Sequence, residues 1–211
     1  MIWIAGACFV CLCVCLPLYL HFRYKDHLHL ASCYKSAGTL CAVMFALVAS
    51  IRLNPSCYVC AAGLLIHAVA DYVLEFNFMA GAGLFLAGHI CYIAFFLRLV
   101  PVALPHGIIL LLLLGFMAFI YYHWRKQIGK QLKPLIVYGV GLSIMCSCAV
   151  GCFTLWSLPG ILIACGGALF FLSDSLLLRR LLFLSGKALD WAIMITYYAA
   201  QLLFGIACLY L

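Results

Sequence analysis

Two aspartates stand in this sequence where aspartate is costly. Asp71 lies in "AGLLIHAVADYVLEF" and Asp174 in "GGALFFLSDSLLL", both long apolar runs. The chain has only five acidic residues: Asp26 and Asp190 fall in or beside breaks, and Glu75 at a helix end. A charged side chain near the centre of a bilayer costs on the order of 2.5–3.5 kcal/mol, so carboxylates kept there usually have a task. His89 joins them from a third apolar run, "MAGAGLFLAGHICYIAFF". Two carboxyl groups and an imidazole in a partly desolvated place form an acid–base set. Burial favours the protonated form of a carboxyl group, and a neighbouring cation such as Lys35 keeps another ionised. Such a set acts on a lipid or passes an ion. Lys35, Tyr92, Ser173, Tyr197 and Gln201 are the polar residues nearest at hand for binding.

Helical spacing groups these residues. His67, Asp71 and Glu75 are four apart and share a face, as do Phe85, His89 and Tyr92, and again Tyr197 and Gln201. His67 reads as packing or support rather than a catalyst. In the run before Asp174, the small Gly166–Gly167 pair permits close helix approach.

The elements that hold such residues must be membrane helices. The chain is 69% hydrophobic and 8% charged, with mean hydropathy +1.24. A soluble domain is about half apolar and about a quarter charged. This chain cannot cover a water-facing surface, and lipid-spanning segments must satisfy their own backbone hydrogen bonds. The expectation is an all-α fold, a polytopic transmembrane bundle of eight helices in one domain, residues 1–211. The spans fall at about 2–21, 36–51, 56–76, 78–97, 106–123, 134–155, 158–178 and 189–210. Breaks such as "RYKDHLHLASCYK", "RLNPS", "RKQIGKQLK" and "RRLLFLSGKALD" separate them. The first span has no basic segment before it, so it reads as a retained helix rather than a cleaved signal.

Basic residues divide unevenly between the two sides. Arg23, Lys25, Lys35, Arg125, Lys126, Lys130, Lys133, Arg179, Arg180 and Lys187 fall in the odd-numbered loops, and only Arg52 and Arg98 in the even ones. The positive-inside rule places the odd loops in the cytoplasm and both termini outside. A basic face on anionic lipid headgroups accounts for the net charge of +7 without nucleic acid. At the rise of a helix, Asp71 lies about 6 Å in from its odd loop, Asp174 about 7 Å, Tyr197 about 10 Å, and His89 and Gln201 about 16 Å. Lys35 opens the second span. The intramembrane polar residues therefore share one half of the membrane, in a cavity that opens to the cytoplasm.

Other chemistries find less support. Fourteen cysteines suggest disulfides, but most lie inside apolar runs, where they act as small hydrophobes. Cys57-x-x-Cys60 lacks a second pair of ligands, so no metal and no cofactor is expected. No G-x-S-x-G elbow marks a serine hydrolase, and Ser173 and Ser175 read as bonding helix carbonyls. A proton-coupled carrier would also place Asp and His in spans, but with a polar route to both faces. A metal-dependent lipid amidase would use Asp71, His89 and Asp174 as ligands, although zinc prefers more His or Cys.

Three stretches carry a resemblance. "AGLLIHAVADYVLEF", with Asp71 near its end, "MAGAGLFLAGHICYIAFF", with His89 and Tyr92, and "GGALFFLSDSLLL", with Ser173 and Asp174, are similar to the signature blocks of the YhhN-like lysoplasmalogenase family. The resemblance covers most of the chain and includes a last helix with Tyr197 and Gln201. Lys35 is followed by Ser36 where the family often has proline, and Ala70 stands where it often has glycine. The resemblance implies hydrolysis of the vinyl ether bond of lysoplasmalogens to a fatty aldehyde and a glycerophospho-base. The partners implied are a lysophospholipid substrate and membrane lipids, in a bacterial inner membrane or a eukaryotic endomembrane. In such a reaction Asp174 would be the acid and Asp71 the stabiliser or base, though the sequence leaves these roles interchangeable. His89 would shuttle a proton or orient water, and Lys35 would hold the phosphate.

Overall fold

The computed structural model describes residues 2–183 and 186–211. Every regular element among them is helical. Helix α1 (Ile2–Phe9), a π-helical turn (Val10–Cys15) and α2 (Leu16–Tyr24) run on as one apolar segment. Pro17 has no N–H and crowds the carbonyl of Cys13, which lies within the wider π turn. The chain continues through α3 (Leu28–Arg52), α4 (Cys57–Leu74), α5 (Phe78–Leu99) and α6 (Leu104–Ile128). Helices α7 (Leu132–Gly151), α8 (Leu158–Leu182) and α9 (Lys187–Cys208) complete it. Side-chain caps open two of these helices. Asn77 accepts from the backbone N–H of Ala80 at the head of α5, and Ser157 from that of Gly160 at the head of α8.

Seven segments are long and apolar enough to cross a membrane, and the chain is an integral membrane protein. One of them, Leu104–Leu155, has 52 residues. A straight helix of that length would run about 78 Å, more than twice the roughly 30 Å of a hydrocarbon core. The chain instead folds back within it. Gly129 takes φ 58°, a region glycine enters without a Cβ penalty, and a 3₁₀ turn (Gly129–Gln131) leads into α7. The Ser147 hydroxyl on α7 then donates to the His106 carbonyl at the start of α6, 2.8 Å away. The expected spans 106–123 and 134–155 both fall inside this segment.

Several helices outrun their expected bounds. Helix α3 begins at Leu28 rather than near residue 36. Only Lys25–His27 breaks the chain there, at a left-handed Asp26 with φ 59°. "LHLASCYK" holds no glycine or proline, and Ala31, Ser32, Lys35 and Thr39 recur on one buried face. Lys35 therefore does not open its helix: it sits inside α3 and is buried. Helices α6 and α8 likewise carry their charged ends in the last turn. The expected break between Arg179 and Asp190 includes Leu184 and Ser185, which lie outside the described residues.

Helix α8 packs between α7 and α9. A Cβ on Gly166 would come 2.7 Å from the Phe204 ring of α9, and one on Gly167 would come 2.4 Å from the Cβ of Ala149 on α7. Close approach of this kind is how membrane helices gain packing energy without a hydrophobic driving force. Helix α6 lies outermost, with Leu104, Leu111, Leu112 and Phe119 exposed to lipid.

Candidate functional site

A cavity of about 230 Å³ opens at one end of the bundle. Its walls come from the C-terminal ends of α2, α4, α6 and α8 and the N-terminal starts of α3, α5, α7 and α9. Up-and-down connection brings these halves together beside the turns that hold most of the basic residues. Leu20, Leu74, Phe85 and Leu142 supply apolar wall, while Lys35, Asp71, Glu75 and Asp174 supply charge.

Asp71 is fully buried and is met by donors. Thr39 Oγ1 donates to its Oδ2 at 2.5 Å and the Tyr197 hydroxyl to the same oxygen at 2.8 Å. The Lys35 ammonium lies 3.7 Å from Oδ1 and 3.3 Å from Glu75 Oε1. Glu75 also accepts from Tyr19 at 2.8 Å and pairs with Arg23 at 3.1 Å, while Arg23 donates to the Tyr19 hydroxyl. Glu75 stands just past α4. Burial pushes its carboxyl up, but Lys35, Arg23 and the Tyr19 hydroxyl outweigh burial and hold it below the usual glutamate value.

A second layer fixes the direction of these hydrogen bonds. His67 meets the Phe85 carbonyl through Nε2 at 3.1 Å, and a carbonyl only accepts, so Nε2 carries a proton. His67 Nδ1 then accepts from Gln201 Nε2 at 2.9 Å. Gln201 Nε2 also donates to the Tyr197 hydroxyl at 2.9 Å, and Gln201 Oε1 accepts from Tyr92 at 2.7 Å. The Tyr197 hydroxyl therefore spends its acceptor capacity on Gln201 and its proton on Asp71. Every group in this chain is buried, so each lost partner would leave a costly orphan.

Asp174 has a different setting. The Tyr138 hydroxyl donates to its Oδ2. Among the described residues no cation lies within 4.0 Å of it. Ser173 ties α8 to α9 by donating to the Ile193 carbonyl at 3.0 Å, and Ser175 bonds the Phe171 carbonyl of its own helix at 2.8 Å. At the cavity mouth Arg180 pairs with Asp190 at 2.6 Å, and Tyr24 donates to Asp190 at 3.1 Å.

Asp71, Asp174, Lys35, Ser173 and Tyr197 thus line one cavity. Tyr92 and Gln201 do not: they form the layer behind Tyr197. His89 does not line it either. Its fully buried ring packs among His67, Phe170 and Tyr138, with centroids 5.2, 5.2 and 5.6 Å away. Thr39, Tyr138, Arg23, Glu75, Arg180 and Asp190 were not singled out in the sequence as site residues. Thr39 was signalled by its four-residue spacing from Lys35, whereas nothing in the spacing of Tyr138 marks it as facing Asp174. Among the described residues no group of three or more His, Cys, Asp or Glu side chains is placed to hold a metal ion.

No curated protein and no solved structure matches this chain. The model of the YhhN family matches residues 30–207, which include every residue of the charged pair and of the layer behind it. The chain belongs to the YhhN family.

Proposed function

We propose that this protein is an intramembrane lysoplasmalogenase, an ether hydrolase that cleaves the vinyl ether of a lysoplasmalogen to a fatty aldehyde and a glycerophospho-base. The observation that carries this reading is the unequal pair: Asp71 meets two hydroxyl donors and an ammonium group, whereas Asp174 meets one phenol and, among the described residues, no cation within 4.0 Å. A carboxylate and a carboxylic acid facing one partly apolar hollow are what this reaction needs. Asp174 donates its proton to the vinyl carbon remote from oxygen, giving an oxocarbenium ion. Asp71 as carboxylate stabilises that cation and takes a proton from the water that adds. The resulting hemiacetal then collapses: Asp71 returns its proton to the departing glycerol oxygen while Asp174 takes the hemiacetal hydroxyl proton, so the carbon–oxygen bond breaks to release aldehyde and the glycerol hydroxyl and both carboxyl groups regain their starting states. Glycosidases meet a similar cation with a similar pair of carboxyl groups.

The remaining residues take supporting roles in this reading. Lys35 is buried between Asp71 and Glu75, so it keeps Asp71 ionised rather than holding phosphate. Arg23 and Arg180, with side chains 38% and 34% exposed at the mouth, are the phosphate partners. His89 acts through packing on Tyr138. The fold-back at Gly129 makes the 52-residue segment two crossings and the bundle eight. The nine basic residues in or beside the odd turns, Lys35 apart, then set the cavity toward the cytoplasm and both termini outside.

The test offers purified protein in detergent a lysoplasmalogen and the matching acyl lysophospholipid side by side. Aldehyde from the first and no fatty acid from the second is expected. Fatty acid release, or no aldehyde from well-folded protein, would overturn the reading.

A further inference from the structure

A second hollow, of about 480 Å³, runs along the outer side of the α6–α7 hairpin. Leu114, Ala118, Ile136 and Val140 line it, and Arg125 closes the end nearest the 129–131 turn, its guanidinium 5.0 Å above the Tyr122 ring. From Leu114 to Arg125 the helix rises about 16 Å. Met117 and Tyr121 line this groove and the polar cavity alike. Tyr121 is therefore a shared wall. Its hydroxyl donates to the Leu135 carbonyl at 2.6 Å, and it fills the space left by Gly139, where a Cβ would come 2.4 Å from that oxygen. Two side chains, Met117 and a Tyr121 held by one hydrogen bond, separate an apolar groove facing lipid from the hollow that holds Asp71 and Asp174.

We infer that this groove is a lateral portal through which the hydrocarbon chain of a phosphate-bearing lipid passes between the bilayer and the cavity, with Tyr121 as its movable wall. This rests on the reading of the cavity as a lipid site. Three features commit the groove to such a chain. It abuts the cavity, with Met117 and Tyr121 as their common wall. Its walls are apolar along their length. Its single guanidinium sits at the end where a lipid phosphate would lie, at the level of the basic turn. The mouth between Arg23, Arg180 and Asp190 is polar and suits a headgroup, whereas a long chain loses its hydrophobic stabilisation if drawn through water.

The test uses the full chain in detergent with a non-cleavable saturated-ether lysophospholipid that carries a photoreactive diazirine in its chain. Labelled peptides are mapped by mass spectrometry. Labelling of α6 and α7 at Leu114–Ala118 and Ile136–Val140 should saturate and be competed by unlabelled long-chain lysophospholipid, but not by glycerophosphocholine. Ala118→Trp, at an exposed position, should abolish that labelling, and Val140→Trp should repeat the effect. Both variants should raise the KM of a sixteen-carbon lysoplasmalogen at least about tenfold more than that of a four-carbon analogue, a loss of ground-state binding. Labelling that neither saturates nor exceeds that of Leu104–Leu111 would overturn the portal, as would unchanged chain-length dependence in both variants. Cross-links to a second copy of the chain at these positions would overturn it too. Saturable groove labelling in protein that cleaves no vinyl ether would keep the portal and sink the proposed reaction, so the two fail separately.

Discussion

At Asp71 two hydroxyls converge on one carboxylate oxygen and an ammonium stands beside the other, while Asp174 receives a single phenol. Substitutions should separate these roles. Asp174→Asn keeps the shape and removes the acidic proton, so aldehyde release should fall by about 10²–10⁴-fold with KM little changed. Asp71→Asn should fall similarly, and the double variant should lose less than the product, since groups acting as one unit are not additive. Near-normal turnover in folded Asp174→Asn would make that residue structural. Tyr138→Phe should lower kcat by roughly tenfold or more, because the Tyr138 hydroxyl stabilises the carboxylate that Asp174 becomes as it gives up its proton, and a hydrogen bond to a charged group is worth about 1.5–3 kcal/mol. Much of this was legible in the sequence, since Asp71, Asp174 and His89 are polar letters in apolar runs. Tyr138 was not, because tyrosine is equally at home in the membrane interface. Nor was the burial of His89 behind Phe170, since spacing gives the face of a helix but not the ring that shields it.

Between elements, Glu75 ties the ends of α2, α3 and α4 together through Arg23, Tyr19 and Lys35. Its folded-state value lies below the ordinary one, so the protein binds this proton less readily folded than unfolded. The resulting stability is fully present above the ordinary glutamate value of about 4.3 and is lost as pH falls through the folded value. Thermal stability in detergent should drop on acidification in that window, and Glu75→Gln should flatten the drop. Lys35→Met leaves two buried carboxylates short of a cation and should destabilise by about 3–5 kcal/mol, read as a lowered melting temperature. At the α7–α8 crossing, Gly167→Ala places a Cβ where Ala149 already stands and should cost about 1–3 kcal/mol of overpacking. The helices themselves were legible as apolar runs, and the glycine pair of α8 as a place of close approach. Their ends were not. Stretches with charged residues were read as breaks, yet "LHLASCYK" and "RKQI" stay helical because nothing in them opposes the backbone ladder. That error moved Lys35 from the entrance to the interior and changed its proposed partner from a phosphate to two carboxylates.

Over the whole molecule, the walls of the cavity come from one end of every helix from α2 to α9, and the basic residues gather at that same end. Trp3 packs against Phe45, late in α3, and the Cys57 thiol at the head of α4 meets the Cys208 carbonyl at the end of α9. The first turn of α1 and the end of α9 therefore lie at the opposite end. The charge asymmetry, visible in the sequence, then predicts the direction of the whole bundle. Nine Lys and Arg residues in or beside the turns of one side, Lys35 apart, against Arg52 and Arg98 on the other should hold the cavity end in the cytoplasm. Reporter fusions read this directly. A phosphatase fused after Leu211 should be active outside the cytoplasm, and a fluorescent reporter inserted at Lys130, in the α6–α7 turn, should fold and shine inside it. Moving basic residues tests the cause as well as the outcome. Adding three lysines beside Arg52 while replacing Arg125, Lys126 and Lys130 with glutamine should reduce or invert the two signals. A cytoplasmic C-terminus in the unaltered chain would reverse the assignment and place the cavity, its arginine-lined mouth and the groove of α6 and α7 in the outer leaflet. The lipid reaching Asp174 would then come from that leaflet.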